Sequence, residues 1–394
     1  MTKAMMATRA EGLRRLAAFA PRMGTAYEAG RNHDHGAGAH QAVSVLSPYV
    51  RHRLVAEDEL VTAALATHGA HSAEKFIQEV FWRSYWKGWL ELRPAVWDAY
   101  AAKVSATRAP SVCTPAIEGR TGIACFDAWA RELVETGYLH NHARMWFASI
   151  WIFTLRLPWQ WGADHFLRHL LDGDAASNTL SWRWVAGIQT RGKPYAARAE
   201  NIARFTGGRF NPQGQLNENP TAIEAPEPPR PQAIPPGDAP PAGPVGLLLH
   251  ADDLHPESLH LGAARVAAVG GLALQGRGAS GPVAPMVAAF TDAAMADALA
   301  RAGAHFSAPT ERLAPDAVVD WAARAGLTDI VTPYPPVGWV ADAMAPLDAA
   351  LAARGVRLHR VMRDWDAACW PHATKGFFAF REAIPGLLAR LVRP

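Results

Sequence analysis

Apolar positions follow two different periods along this 394-residue chain, and the change falls near residue 220. Before it, the spacing is helical. Leu13, Leu16, Ala17 and Phe19 predict a first amphipathic helix. In "AEKFIQEVFWRSYWKGWLEL" (73–92), Phe76, Val80 and Tyr85 stand at helical spacing, with Trp82, Trp86 and Trp89 on a nearby face. "CFDAWARELVETGYL" (125–139) is amphipathic, and Gly137 is a C-cap signal. "HARMWFASIWIFTLRL" (142–157) is apolar nearly all round, which predicts a buried helix ended by Pro158. After the change, short apolar runs predict buried strands at 245–251, 264–271, 328–334 and 356–362. Helical patterns at 285–303 and 338–355 lie between them. Alternating strands and helices predict a Rossmann-like, doubly wound parallel α/β sheet.

The two halves meet at "PTAIEAPEPPRPQAIPPGDAPPAGP" (220–244), where 10 of 25 residues are proline. Proline removes donors and fixes φ, so this stretch predicts an extended linker. It could reach roughly 75 Å in polyproline II. The expected organisation is a helical domain over 1–212, a linker over 213–244 and an α/β domain over 245–394.

Composition sharpens the contrast. Residues 1–219 carry 25 Lys+Arg against 19 Asp+Glu, a net of +6; residues 220–394 carry 14 against 17, a net of −3. Eleven of the 15 tryptophans lie in the first part. That balance suits a polyanionic partner or an aromatic ligand, and equally a solvated basic surface. The Arg-rich start lacks an apolar h-region, so it is not read as a secretory signal. No run of about 18 apolar residues predicts a membrane span. Cys113, Cys125 and Cys369 are far apart and odd in number, which fits a reducing cytoplasm better than a disulfide framework.

Familiar nucleotide and hydrolase motifs are missing. No G-x-G-x-x-G follows a strand, and there is no Walker A or G-x-S-x-G. "GRGASG" (276–281) reads as a loop. "HDH" (33–35) and "HADDLH" (250–255) have metal-like composition, but neither has a second cluster to complete a site, so no metal is expected. "DGDAASNTLSWRW" (172–184) is more specific. It sets carboxylates and an amide beside large aromatics, either as a capped helix with core tryptophans or as the edge of a redox cofactor site.

Five segments, taken together and in order, resemble the FAD-binding domain of the DNA photolyase/cryptochrome family. They are Tyr27 and Arg31 in "YEAGRN", "VSVLSP" (43–48), "FIQEVFWRSYW" (76–86), "TGYLHNHARM" (136–145) and "DGDAASNTLSWRW". The family's forms of the last four are T-S-x-L-S-P, W-x-N/Q-E-x-x-W-R, T-G-W-x-H-N-x-x-R-M and D-G-D-x-x-x-N-x-x-x-W-x-W. The likeness covers roughly residues 1–210.

The resemblance implies noncovalent FAD held by Tyr27, Ser44, Val45, Leu46, Ser47, Phe76, Arg144, Asp172, Asp174 and Asn178. Ser44 to Ser47 would hold the diphosphate. Arg144 would pair with Asp172, and the Asn178 amide would face flavin N5, able to hydrogen-bond without supplying a ready proton. Trp182 and Trp159 would be the inner and middle members of an electron-transfer chain. No tryptophan stands at the usual outer position, since residues 101–116 contain none; Trp151 and Trp161 are the candidates left. A lesion pocket would be lined by Arg31, Gln78, Glu79, Trp82, Arg83, Asn141, Met145 and Trp184. Two departures stand out: Val43 replaces the usual threonine, and Phe76 replaces a tryptophan.

The second half also resembles the family, out of order. "TDIVTPYPP", "VRLHRV" and "TKGFFAFREAIPGLL" look like its α/β domain, which normally comes first. A circular permutation is the implied relation, against an unrelated appended Rossmann-like domain. The family's D-L-R motif is only "DDLH" (252–255), so an antenna chromophore lacks its usual signal. The implied activity is that of a deoxyribodipyrimidine photolyase, a carbon–carbon lyase repairing cyclobutane pyrimidine dimers in damaged DNA. The alternatives are a cryptochrome-like photoreceptor and a flavoprotein with a redox or structural role. Asn141 and Met145 match the cyclobutane-dimer branch, where the (6-4) photoproduct branch has histidines.

Overall fold

The computed structural model describes residues 5–274, 276 and 281–392; most of the "GRGASG" loop lies outside them. The first part is all helical. It contains α1 (Arg9–Phe19), α2 (Thr25–Gly30), α3 (Ser47–Arg51), α4 (Glu57–Glu91), α5 (Ala95–Ser105), α6 (Thr114–Ile117), α7 (Ala124–Thr136), α8 (Asn141–Ser149), α9 (Trp159–His169), α10 (Ala175–Val185) and α11 (Ala199–Phe205). The second part alternates: β1 (Gly243–Leu249), β2 (Ala264–Leu272), α12 (Pro285–Phe306), β3 (Thr310–Leu313), α13 (Val318–Arg324), β4 (Asp329–Pro333), α14 (Trp339–Ala352) and β5 (Arg357–Val361). Three short helices follow: α15 (Asp364–Cys369), α16 (Phe377–Arg381) and α17 (Ile384–Leu391).

The five strands are parallel, in the order β3-β2-β1-β4-β5. Successive side chains of a strand face opposite sides. Leu247 and Leu249 of β1 accordingly join the core shared with the helical part, while Leu248 packs with Trp321, Val340 and Met344 beneath α13 and α14. Burial on both faces is why these strands read as continuous apolar runs.

Several sequence expectations need correction. Leu13 and Ala17 are exposed, so α1 buries Leu16 and Phe19 with Gly12 and Glu11 instead. The predicted helix over 142–157 is α-helical only to Ser149, then widens into a π-turn over Ile150–Thr154. Periodicity could not show this, because the segment is apolar on every side. A fifth strand, β3, escaped notice: three of its four residues are exposed, so it has no apolar run. Gly137 does cap α7, in the left-handed region at φ 67°.

The proline-rich stretch is extended and pinned to the surface. Ile223 N–H donates to Ala186 (3.0 Å), Gln232 N–H to Leu92 (2.9 Å) and Asp238 N–H to Arg360 (2.8 Å), each to the backbone carbonyl. The metal-like "HADDLH" segment is a junction instead. Asp252 pairs with Arg51 (2.6 Å), and Asp253 with both Arg53 (3.2 Å) and Arg363 (2.5 Å). Arg53 also holds Asp366 (2.6 Å) and Glu57 (3.2 Å). In "HDH", Asp34 accepts from Trp129 and pairs with Arg209 (3.0 Å). No helix among the described residues is long and apolar enough to cross a membrane.

Candidate functional site

One cavity of about 630 Å³ opens in the helical part, within the size range of cofactor pockets. Four local structures build it. The turn from Val43 to Ser47 forms one wall, and Val45 there adopts φ 51°. A β-branched residue in the left-handed region is a backbone outlier of the kind found at ligand sites. The middle of α4 contributes Phe76, Glu79, Trp82, Arg83 and Trp86. The start of α8 contributes Asn141, His142, Arg144 and Met145. The fourth is the "DGD" turn with α10. Asp174 caps that helix by accepting from Ser177 N–H at 2.9 Å, as N-cap carboxylates do. The same cap turns Asn178, Ser181, Trp182 and Val185 toward the cavity at helical spacing.

The polar groups are unevenly satisfied. Arg144 donates to Asp172 Oδ2 at 2.8 Å, while Asp172 Oδ1 is buried without a partner. Arg31 Nε and Asn32 Oδ1 are also buried and unpaired, although Arg31 Nη1 reaches Glu79 at 3.1 Å. Buried polar atoms without partners are costly and rare, and here they line a cavity large enough for a polar ligand. Asn178 Nδ2 donates to the Ala163 carbonyl at 2.8 Å, which leaves its Oδ1 as an acceptor.

Burial and charge set the proton affinities. Burial pushes the Glu79 carboxyl up, against the opposing pull of Arg31 and Lys75. Burial also opposes the charge on Asp174, but Arg83, Lys87 and Arg51 outweigh it and hold that carboxyl below its usual range. Burial lowers His142 to about 4, so the imidazole in the wall is neutral near pH 7.

The cavity gathers Tyr27, Ser44, Val45, Leu46, Ser47, Phe76, Arg144, Asp172, Asp174 and Asn178, every residue assigned to the cofactor. It also gathers Arg31, Glu79, Trp82, Arg83, Asn141, Met145, Trp182 and Trp184. Gln78 is not among them; it is buried on α4, where it donates to Glu74 and accepts from Lys75. Trp159 stands behind the wall, stacked on Tyr100. Arg83 reaches the wall, but its guanidinium turns inward to Glu57 and Asp174, both at 3.3 Å, which takes it away from the surface where a phosphate would lie. Trp82 presents only one face, because Phe377 of α16 stacks on the other with centroids 3.6 Å apart. Sequence reasoning missed Tyr138 and Ser181 in the wall, and placed His142 only beside the site. Ser181 was reachable, since it lies three residues after Asn178 on the same helical face.

Comparison with known proteins agrees with this geometry. Residues 76–218 match the family model for the FAD binding domain of DNA photolyase. The deoxyribodipyrimidine photo-lyase of Streptomyces griseus is 39% identical over 170 residues, covering 43% of this chain and 36% of that protein. The enzyme of that name from Vibrio cholerae is 27% identical over 187 residues, covering 45% of this chain and 39% of that protein. Cryptochrome-1 of Arabidopsis thaliana is 38% identical over 98 residues, 25% of this chain and 14% of that protein. A solved class III photolyase from Agrobacterium tumefaciens is 26% identical, with a TM-score of 0.44 over 51% of this chain and 43% of its own. The chain thus spans well under half the length of these relatives. FAD fits the residues present: a polar turn at one wall, an orphaned carboxylate oxygen and a free amide oxygen at the other. Residues 76–218 thus match the FAD-binding domain of DNA photolyase, and the helical region is similar to that of the photolyase/cryptochrome family.

Proposed function

We propose that the cavity holds FAD and serves the light-driven repair of cyclobutane pyrimidine dimers in DNA. The observation that carries this reading is that the side chains assigned to the cofactor share one cavity with all but Gln78 of those assigned to the lesion. Reduced FAD, when bound, supplies on illumination the electron that opens the cyclobutane ring and takes it back.

The chain's own residues do the rest. Arg144 and Asp172 fix each other at the cofactor wall, and Asn178 offers its amide oxygen there. Trp82, backed by Phe377, gives one rigid face for stacking on a flipped dinucleotide. Such stacking is worth about 1–3 kcal/mol per base. Glu79 lines the same cavity, held by Arg31 at 3.1 Å, where its carboxylate can accept a hydrogen bond from a base N–H. Asn141 and Met145 line the same cavity, and neither is an acid, so they suit a reaction without proton transfer to the lesion. Arg31 pairs with Glu79 through Nη1 but keeps a buried Nε without a partner, so it is the cavity cation proposed to contact the phosphates, and binding should weaken with salt.

The test is to reduce the FAD-loaded protein and illuminate it with each defined lesion. Repair of cyclobutane dimers and not of (6-4) products is expected. Repair of (6-4) products would overturn the branch. Repair of neither, with the flavin fully reduced, would favour a photoreceptor, the reading that the likeness to Cryptochrome-1 keeps open.

We further propose that residues 1–212 and 245–394 are the two domains, joined by the linker over 213–244, and that their order is a circular permutation. The five-stranded parallel α/β fold of the second part supports this, together with its extensive docking on α4 through α15 and α16.

A further inference from the structure

A row of charged side chains on α4 runs from the cavity to the junction. Arg83, Lys87 and Glu91 are spaced four apart, so they stand on one face of the helix. Arg83 binds Asp174 at 3.3 Å at the cavity end, and Glu91 accepts from Val337 N–H and the Tyr334 hydroxyl at the other. Lys87 lies between them, buried, and its Nζ has no hydrogen-bond partner among the described residues. It borders a small void of about 10 Å³ together with Arg51, Asp174 and Asp252, with room for about one water at most. Pro336, Val337, Gly338 and Trp339 close the void from the α/β part. Asp174 also lines the large cavity, so this one residue is shared by the two spaces.

We propose that Lys87 is a positioning residue for the cofactor: its ammonium, acting through Asp174, favours the reduced form of the isoalloxazine. This rests on the reading of the cavity as an FAD site. Reduction adds negative charge to the ring system, and a cation behind the wall offsets that charge. Asp174 is the group that carries the effect. Burial opposes its ionisation, and Arg83, then Lys87, then Arg51 outweigh that burial. Without Lys87 the same carboxylate presents more of its negative charge to the cavity, and reduction becomes harder.

The surroundings single out Lys87 among the nearby cations. Arg51 has Asp252 at 2.6 Å, Arg53 has Asp366 at 2.6 Å and Glu57 at 3.2 Å, and Arg83 divides itself between Glu57 and Asp174. Lys87 has no carboxylate of its own. Glu91, one turn on, is raised to about 7 by burial, so it is an incomplete counter-charge near pH 7. Burial lowers the His250 imidazole, which leaves it neutral there. An interior ammonium without hydrogen bonds is costly, so packing alone gives no reason for a lysine here. Burial, Arg83 and Arg53 lower the ammonium below its ordinary 10.5, against the pull of Asp174 and Asp366. The effect on the cofactor is therefore present at low pH and fades as pH rises through that lowered value.

The experiment equilibrates the full-length, FAD-loaded protein with a redox dye of known potential, anaerobically and in the dark, between about pH 6 and 10. Flavin content and denaturant stability are measured for each variant. Lys87→Met keeps the length of the side chain and removes its charge. It should lower the ratio of reduced to oxidised flavin roughly tenfold at the low end of the range, about 30 mV for a two-electron couple. The gap from wild type should narrow as pH rises. Lys87→Arg keeps the charge and should restore the ratio to within about threefold. Stability should be equal or higher in Lys87→Met, because an unpartnered buried charge is gone, so a shifted potential does not report loosened folding. If Lys87→Met does not keep flavin, Lys87→Gln takes its place. A reduced fraction equal to or above wild type at every pH, in a folded and flavin-loaded variant, would overturn the proposal and leave the FAD site standing. A wild type that takes up no FAD would overturn both.

Discussion

The cavity wall and the junction between the two parts are built from the same residue types, arginines against carboxylates, with opposite outcomes. At the junction every carboxylate of the central knot is met by an arginine: Arg53 holds Glu57, Asp253 and Asp366, and Arg363 holds Asp253 again. At the cavity one carboxylate oxygen of Asp172 and one guanidine nitrogen of Arg31 have no partner. The knot around Arg53 is a closed lattice, although Arg51 Nη1 and Lys87 Nζ at its margin also lack hydrogen-bond partners. Composition does not separate the two regions, since "HADDLH" and "DGDAASN" read alike as acidic clusters. What separates them is that the cavity's lattice is open: its unpartnered atoms face a space large enough for a ligand.

The largest test of the comparison is to break the closed lattice. Arg53→Met leaves three buried carboxylates facing each other with Arg83, Lys87 and Arg363 as the nearby cations. Removing one partner of a buried ion pair costs about 3–5 kcal/mol. We expect that loss in chemical denaturation, or failure to fold. A change below about 1 kcal/mol would mean the knot resembles a surface pair.

The junction should also respond to pH through Glu91. Burial raises its carboxyl to about 7, despite hydrogen bonds from Val337 N–H and the Tyr334 hydroxyl. The folded state therefore holds this proton more tightly than the unfolded one. Its contribution is fully present below the ordinary value of 4.5 and is lost as pH rises through about 7. The difference amounts to roughly 3 kcal/mol. Glu57 acts in the opposite sense: the cations around it overcome burial and lower it to about 2, so its contribution is lost as pH falls below 4.5. Stability measured by denaturant should decline between about pH 5 and 8, and Glu91→Gln should flatten that decline. An unchanged slope in the variant would assign the titration elsewhere.

These junction effects were invisible in the sequence, for a physical reason. Arg53 and Asp366 are 313 residues apart, and Trp97 and Asp342 are 245 apart. No local pattern encodes such a meeting. The cavity was legible because each of its walls is local: a turn, or one face of one helix. Asp174 caps α10 and thereby aims Asn178 and Trp182, all within nine residues of "DGDAASNTLSW". What locality could not show is the use of each group. Arg83 occupies its expected wall yet is spent on Glu57 and Asp174, and Trp82 has one face filled by Phe377, 295 residues later in the chain.

A smaller effect tests the open lattice. Asp172→Asn removes the charge facing Arg144 and the unpaired oxygen facing the cavity. Loss of one such buried acceptor is worth about 1–3 kcal/mol, a loosening of roughly tenfold in FAD retention. Asp174 is a poorer choice, because it also caps α10 and binds Arg83, so its removal mixes folding with binding. Retention equal to wild type in Asp172→Asn would place the flavin's contacts on another wall.

The smallest effect concerns the linker. If the closed lattice holds the two parts together, the covalent tie adds little. Doubling a loop's length costs only about 0.6 kcal/mol in closure entropy. The linker's bonds to Ala186, Leu92 and Arg360 are backbone bonds at its own surface track, each worth about 0.5–1.5 kcal/mol. Inserting a Gly/Ser stretch of equal length beside Pro240, beyond those three attachments, should therefore lower stability by no more than about 1 kcal/mol. The stronger form of this test reorders the chain, beginning at Gly243 and passing from residue 392 through a new linker into residue 5. A proline-rich linker of the original length reaches roughly 75 Å, so the distance between the old ends is no obstacle. The reordered protein should fold, keep its FAD and keep the pH slope that Glu91 gives. Failure to fold would mean that the present order of the two parts is itself required, and would count against reading it as a circular permutation.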